Sequence, residues 1–396
     1  MSRSSNGAAS GRRDRSIQAG FRRLDRRAAS IAEALTALAV AAALLVGCGG
    51  ASDPPSGSDR PLTIGFLYVG SVEDAGYNQA AYEGSLELAT RFPQARLIQR
   101  ENVPETPRAE EVMERMIDHG ATIIFPTSFG HLPAALAVAA RHPEVTFFHQ
   151  GGLETADNLG TYFGTIWQAE YAAGQAAGYL SESDRLGFVA AFPIAQSLLT
   201  INAFELGAQS VNPDAETEVV FTGNWCEPSK QRRATRGLIA RGADVIAQHE
   251  DCTKPVIETA AAEGAKVIGY HYDARDVASG AWITGPVWDW GPLMSGMVGA
   301  VLDGRFDGSV YDGRLRVGIE DGAVGLARFG RAVPPTVAAD IGRTMSAIGS
   351  GKLAVFDGPI RDQDGILRIR GDEPPVTELE EVDYLVDGVI GDLDAP

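Results

Sequence analysis

Residues 62–91 read LTIGFLYVGSVEDAGYNQAAYEGSLELATR. The first eight, Leu62–Val69, are almost all aliphatic or aromatic, the residue types that suit a strand. A short apolar run without polar alternation fits a strand covered on both faces of a sheet. A polar, glycine-containing break follows, and Ala75–Arg91 then carries helical spacing. A buried strand leading into a helix is half of a βα unit, the connection that parallel strands require.

The same alternation runs on. Ala95–Arg100, Thr122–Phe125 and Val145–Phe148 read as strands, with helices over Arg108–His119 and Leu132–Arg141 between them. Tyr171–Leu180 is an Ala/Gly-rich helix suited to close packing between lobes. A second series follows: strands at Leu186–Ala190, Glu218–Thr222, Val245–Gln248 and Lys266–Tyr270, helices at Gln196–Ser210, Ser229–Arg241 and Lys254–Glu263. Two such series predict an α/β protein of two doubly wound parallel-sheet lobes joined by a hinge. The expected division is 62–165 for the N-terminal lobe and 166–288 for the C-terminal lobe. Residues 289–396 would supply a hinge-crossing helix (Trp290–Leu302), returning strands within 308–327, a terminal helix (Val337–Ser350) and a hairpin (Val355–Arg370) with Asp-Gly turns. Beyond Gly371 the chain is acidic and is expected to dock loosely or fray.

The segment before this domain has its own pattern. Eight arginines lie within residues 1–27, Ile31–Val46 is apolar apart from Glu33 and Thr36, and Leu45-Val46-Gly47-Cys48 closes the run. A basic region and a short apolar stretch form a secretory signal, too short for a spanning helix. Residues 1–47 are read as a lipoprotein signal peptide, Cys48 as the lipidated residue, and 48–61 as a polar tether. The whole chain has 34 basic and 52 acidic residues; without the eight arginines and three acids of 1–47, 26 and 49 remain, a net of −23. Such a surface argues against nucleic acid as a partner. Cys226 and Cys252 are the other cysteines. A disulfide between them is permitted outside the cytoplasm, but two free thiols are the expectation that the sequence favours.

In open parallel sheets, ligands sit beyond the carboxyl ends of strands. The loops there bring Tyr77 and Asn78; Ser128 and Phe129; His149 and Gln150; Trp225; Glu250 and Asp251; Asp273; and Trp288. Aromatic walls with a few directional polar groups suit a flat, polar ligand. Singly, each has a plain alternative: a Trp at a strand end packs, and an Asp before a helix caps it. No Gly-x-Ser-x-Gly elbow, His-Glu-x-x-His pair or phosphate-binding glycine loop is present, so no catalytic residue is assigned. His149, His249 and His271 fall in cleft loops but lack metal-ligand spacing; neither a metal nor a cofactor is expected.

The stretches Ile64–Gly84, Thr127–Gly130 (TSFG), Asn202–Pro213 (NAFELGAQSVNP), Asn224–Pro228 (NWCEP), Gly242–Asp251 (GADVIAQHED) and Phe356–Gly365 (FDGPIRDQDG) together resemble the basic membrane protein family of substrate-binding lipoproteins. The resemblance spans about residues 62–370. It implies a type I periplasmic binding protein fold and, as partners, a small-molecule ligand, an ABC permease and a lipid-anchored membrane, with the receptor acting as a monomer. In nucleoside-binding members the base lies between two aromatics. By motif position these are Tyr77 and Trp225, with Asn78 beside the base.

The departures matter too. Tyr68 stands where those members carry an acid at the end of the first strand, His149 or Gln150 where they carry a base-recognising Asp, and Trp288 where they carry a sugar-binding Lys; Asp74, in the loop after the first strand, is a further candidate contact. Asp273 keeps a family carboxylate unless the register shifts to His271. Fewer charged sugar anchors and more aromatics favour a free purine base, adenine first. A purine nucleoside receptor, or a sensory receptor of the same fold signalling to a membrane kinase, is the alternative. A secreted nucleoside hydrolase-like enzyme, resting on Glu250 and Asp251, is the weakest reading.

Overall fold

The computed structural model describes residues 62–306 and 314–394. The signal peptide, Cys48 and the tether fall outside them. Among the described residues no helix is long and apolar enough to cross a membrane.

The first lobe is built on six parallel strands: β1 (Thr63–Leu67), β2 (Arg96–Arg100), β3 (Ile123–Pro126), β4 (Thr146–Gln150), β5 (Leu159–Gly164) and β12 (Arg314–Val317), in the order β12-β5-β4-β3-β1-β2. All five residues of β1 are buried. Side chains alternate across a strand, so Phe66 joins Phe125 and Tyr162 on one face while Leu67 joins Ile124 and Phe147 on the other. Helices α1 (Tyr77–Arg91), α2 (Arg108–Asp118) and α3 (Leu132–Arg141) cover these faces.

The second lobe repeats the plan with β6 (Arg185–Ala190), β7 (Glu216–Phe221), β8 (Val245–His249), β9 (Lys266–Ile268), β10 (Trp282–Thr284) and β16 (Val389–Ile390), ordered β10-β9-β8-β6-β7-β16. Its helices are α4 (Trp167–Leu180), α5 (Ala195–Gln209), α6 (Pro228–Ala240) and α7 (Lys254–Ala262). The Ala/Gly-rich α4 packs against α5 of its own lobe, a correction to the expected place between lobes. A Cβ on Gly174 would lie 2.0 Å from the Phe204 carbonyl oxygen, and one on Gly207 2.0 Å from that of Tyr171. Each helix thus needs glycine where the other's backbone presses on it.

The chain crosses between lobes three times. It leaves β5 for α4, returns through β10 and β11 (Pro286–Trp288) to α8 (Trp290–Leu302) beside α1, and crosses again from β12 through β13 (Val324–Leu326) toward α9 (Pro335–Gly349), which packs on α4. β11 and β13 pair antiparallel. The expected hairpin is present but short, β14 (Ile360–Arg361) against β15 (Leu367–Ile369).

The acidic tail does not fray. After α10 (Val376–Leu379), Leu385, Val386 and Val389 are buried, and β16 adds a strand beside β7. Asn202 fixes it, donating from Nδ2 to the Tyr384 carbonyl at 2.9 Å and accepting from the Val386 amide at 3.0 Å. These buried apolar residues and one buried side-chain amide outweigh the acidic composition. The tail also touches the first lobe: Glu380 forms a partly buried ion pair with Arg316 of β12, whose Nη2 donates to the Gly152 carbonyl at 3.1 Å.

Candidate ligand-binding site

Nine residues line a cavity between the lobes: Tyr77, Ser128, Phe129 and Phe163 from the first; Gln196, Trp225, His249, Asp251 and His271 from the second. Its empty volume, open mouth included, is about 310 Å³. Most of these side chains lie at or just past the carboxyl end of a strand, as the parallel topology demands.

The lobes meet at the rim. The Tyr77 amide donates to the Asp251 carbonyl at 3.0 Å, Thr253 Oγ1 to the Ala75 carbonyl at 2.6 Å, and Lys254 Nζ to the Glu73 carbonyl at 2.8 Å. Across the cleft, Gln196 Nε2 donates to the Gly151 carbonyl at 2.9 Å. Gly76 makes this seam possible, since a Cβ there would lie 1.9 Å from the Asp251 carbonyl oxygen.

Aromatic walls come from both lobes. The Tyr77 hydroxyl donates to the Thr127 carbonyl at 2.7 Å, and its ring stands edge-on to His271, centroids 5.0 Å apart. Trp225 packs edge-on against Phe192 at 5.0 Å and lies 6.4 Å from His249. A disulfide between Cys226 and Cys252, Cα atoms 5.2 Å apart, holds the Trp225 loop. This corrects the expectation of free thiols. β7 and β8 flank β6, so the loops leaving them converge, and the Asp251 amide donates to the Trp225 carbonyl at 2.8 Å beside the bridge.

The polar groups of the cavity tend to be neutral. Burial, reinforced by Asp74 and Glu105, pushes the Asp251 carboxyl well above the usual carboxylate range. Burial pushes His249 down to about 3 and, with His249 beside it, holds His271 well below the ordinary imidazole value. Ser128 donates to Glu105 at 2.5 Å.

The other expected residues lie elsewhere. Asn78 and Asp74 build the loop before α1: Asn78 donates to Asp74 at 2.8 Å and accepts from the Gly70 amide, and Asp74 also takes the amides of Gly76, Asn78 and Gln79. Their polar atoms are committed before a ligand arrives. Tyr68 is sealed in the first lobe's core, its hydroxyl on Ser85 at 3.1 Å. Gln150 accepts from the Tyr162 hydroxyl at 2.8 Å, and His149 is buried with neither ring nitrogen bonded. Glu250 accepts from Thr222 at 2.8 Å behind the cavity. Asp273 sits outside it against Arg275, so of the two registers His271 is the one that reaches the cleft. Trp288 stands behind His271 and donates to its Nδ1 at 2.8 Å.

His271, the alternative register to Asp273, completes the lining together with Phe163, Gln196 and His249, which sequence reasoning did not single out as contacts. Phe163 is the penultimate residue of β5, whose strand signal in LGTYFG is the run Thr161-Tyr162-Phe163 before a glycine. Among the described residues no cluster of His, Cys, Asp and Glu could hold a metal ion.

Residues 62–341 match the family described as ABC transporter substrate-binding protein, PnrA-like. A purine-binding protein of Brucella abortus is 33% identical over 309 residues, 78% of this chain and 87% of that protein. A putative ABC transporter glucose-binding protein of Haloferax volcanii is 30% identical over 297 residues, 75% of this chain and 74% of its own. An ABC transporter solute-binding protein of Conexibacter woesei shares the fold, with a TM-score of 0.61 at 22% identity over 74% of this chain and 98% of that one.

Proposed function

Because the chain belongs to the PnrA-like family of ABC transporter substrate-binding proteins, we propose that its ligand is a free purine base, adenine first, stacked between Tyr77 and Trp225. Proteins of this family work outside the cytoplasm and hand their ligand to an ABC permease. In the proposed reading Cys48 carries the lipid that keeps the receptor near that permease.

The observation that carries the reading is the cavity wall. Tyr77 and Trp225 face it from different lobes, and its polar groups favour their neutral forms. Stacking would supply contact area and the polar edge would supply identity. The purine-binding relative from Brucella supports the ligand class. The cavity wall also lacks Asp273, whose carboxylate is turned to Arg275, so no family carboxylate from that loop faces the ligand, which favours a base over a nucleoside. Ligand would favour the closed form by its differential affinity for it.

Calorimetric titration of the mature protein with adenine, adenosine, uracil and glucose tests this. Adenine is expected to bind, with adenosine weaker and glucose silent. Trp225→Ala should cost about 1–3 kcal/mol, by the scale of base–aromatic stacking. Binding of glucose alone, or an unchanged adenine affinity in Trp225→Ala, would sink the assignment.

A further inference from the structure

Two histidines of the cavity take their hydrogen-bonding roles from buried neighbours. Trp288 Nε1 can only donate, and it points at His271 Nδ1 at 2.8 Å. A neutral His271 must therefore carry its proton on Nε2, a buried nitrogen with no partner in the structure. His249 is set the other way. Its Nδ1 lies 2.8 Å from Thr200 Oγ1, and that hydroxyl lies 2.8 Å from the Ser197 carbonyl and 3.4 Å from the Gln196 carbonyl, both of which can only accept. With the Thr200 proton given to a backbone carbonyl, the His249 proton sits on Nδ1 and Nε2 is left an acceptor. The rings stand nearly perpendicular, centroids 5.8 Å apart. His271 lies by Tyr77 and His249 by Trp225, so a flat ring between those aromatics would turn an edge toward the pair.

The backbone adds a second observation. His271 has φ of +69°, a left-handed conformation that side chains adopt at a cost. The surrounding structure holds it there, with the His271 backbone bridged to Val287 and the ring tied to Trp288.

Resting on the purine reading, we propose that His249 and His271 form an edge reader of fixed polarity: His271 Nε2–H donates to a ring nitrogen of the bound base and His249 Nε2 accepts from its exocyclic amine. Adenine offers that adjacent acceptor and donor beside its 6-amino group. A 6-oxopurine carries its N1–H and O6 in the opposite order and would have to turn over between the aromatics. Both imidazoles are neutral because burial opposes their charged forms, so the pair recognises shape of bonding and not charge. Trp288 and Thr200 are positioning residues, acting through the tautomers they impose.

The test compares adenine with 6-methylpurine, which replaces the amine by a methyl group of similar size. With the purified protein, 6-methylpurine is expected to bind at least about 100-fold more weakly, because His249 would be left without its donor. In His249→Leu the ratio should fall below about tenfold. Near-equal affinity of the two compounds for the unaltered protein would overturn the edge reader while leaving the purine reading intact; failure of both to bind would remove the purine reading itself. Nitrogen-15 NMR of the histidine rings gives an answer that needs no variant. It should find the His271 proton on Nε2 and the His249 proton on Nδ1, and the reverse pattern overturns the proposal. In Trp288→Phe, His271 should become a mixture of tautomers.

Discussion

Glu205 is fully buried on α5, yet it accepts only from Thr217 at 2.5 Å and Gln209 at 2.8 Å. Burial, with smaller help from Glu216 and Asp387, pushes its carboxyl up to about 8. Its folded pKa thus stands above its unfolded value, so its contribution is complete below about pH 4 and is lost as pH rises through 8. Glu205→Gln keeps the hydrogen-bonding shape and removes the titration. The difference in unfolding free energy, variant minus parent, should grow from near zero at pH 5 to about 2–4 kcal/mol in the variant's favour at pH 9. Urea unfolding at both pH values checks this, and a variant less stable than its parent at pH 9 would contradict it. At the same scale, the sequence made Tyr77, Ser128, Phe129, Trp225 and Asp251 legible as cavity residues, because strand ends and loop chemistry are local. It could not tell that the polar atoms of Asn78 and Asp74 close on each other, or that His271 rather than Asp273 turns inward. Those outcomes depend on partners far along the chain.

The elements that were easiest to read were the long βα units, where apolar runs and helical spacing repeat. β5 is hard to read because glycine and threonine interrupt its apolar residues, β10 because it has only three residues, and the tail because its few buried apolar residues lie among acids. The loops of Cys226 and Cys252 read as neighbours on strands flanking the central one, but whether their Cα atoms come within bridging distance depends on how those loops turn, which neither loop's sequence sets. The bridge closes a span of 26 residues. Cys226→Ser with Cys252→Ser should therefore lower the unfolding free energy by about 3 kcal/mol, in proportion to the loop entropy released. It should also weaken ligand binding, since the Trp225 loop would lose its covalent tie and keep its backbone bond to Asp251 and the packing of Trp225 on Phe192. Denaturant unfolding and calorimetry of the double variant check both effects; unaltered stability would mean that the loop is held by its other contacts.

At the scale of the whole molecule, the lobes are closed on each other, and the seam depends on Gly76. In Gly76→Val the new side chain would overlap the Asp251 carbonyl, so the rim could not seat. The variant is expected to keep its unfolding midpoint, scatter X-rays as a more extended particle, and bind adenine more than tenfold more weakly; a compact particle with undiminished affinity would show that the rim does not govern closure. The way back to the open form is constrained from the far end of the chain. β16 belongs to one sheet, while Glu380, nine residues earlier, is locked to Arg316 of the other. Nine residues span at most about 30 Å fully extended, and these are tied down along the way by Asn202. Small rocking leaves that stay slack, but wide travel must break a partly buried charge pair. The receptor's angular range is therefore set by the tail as well as by the hinge, and an empty receptor would remain within a short swing of its loaded shape.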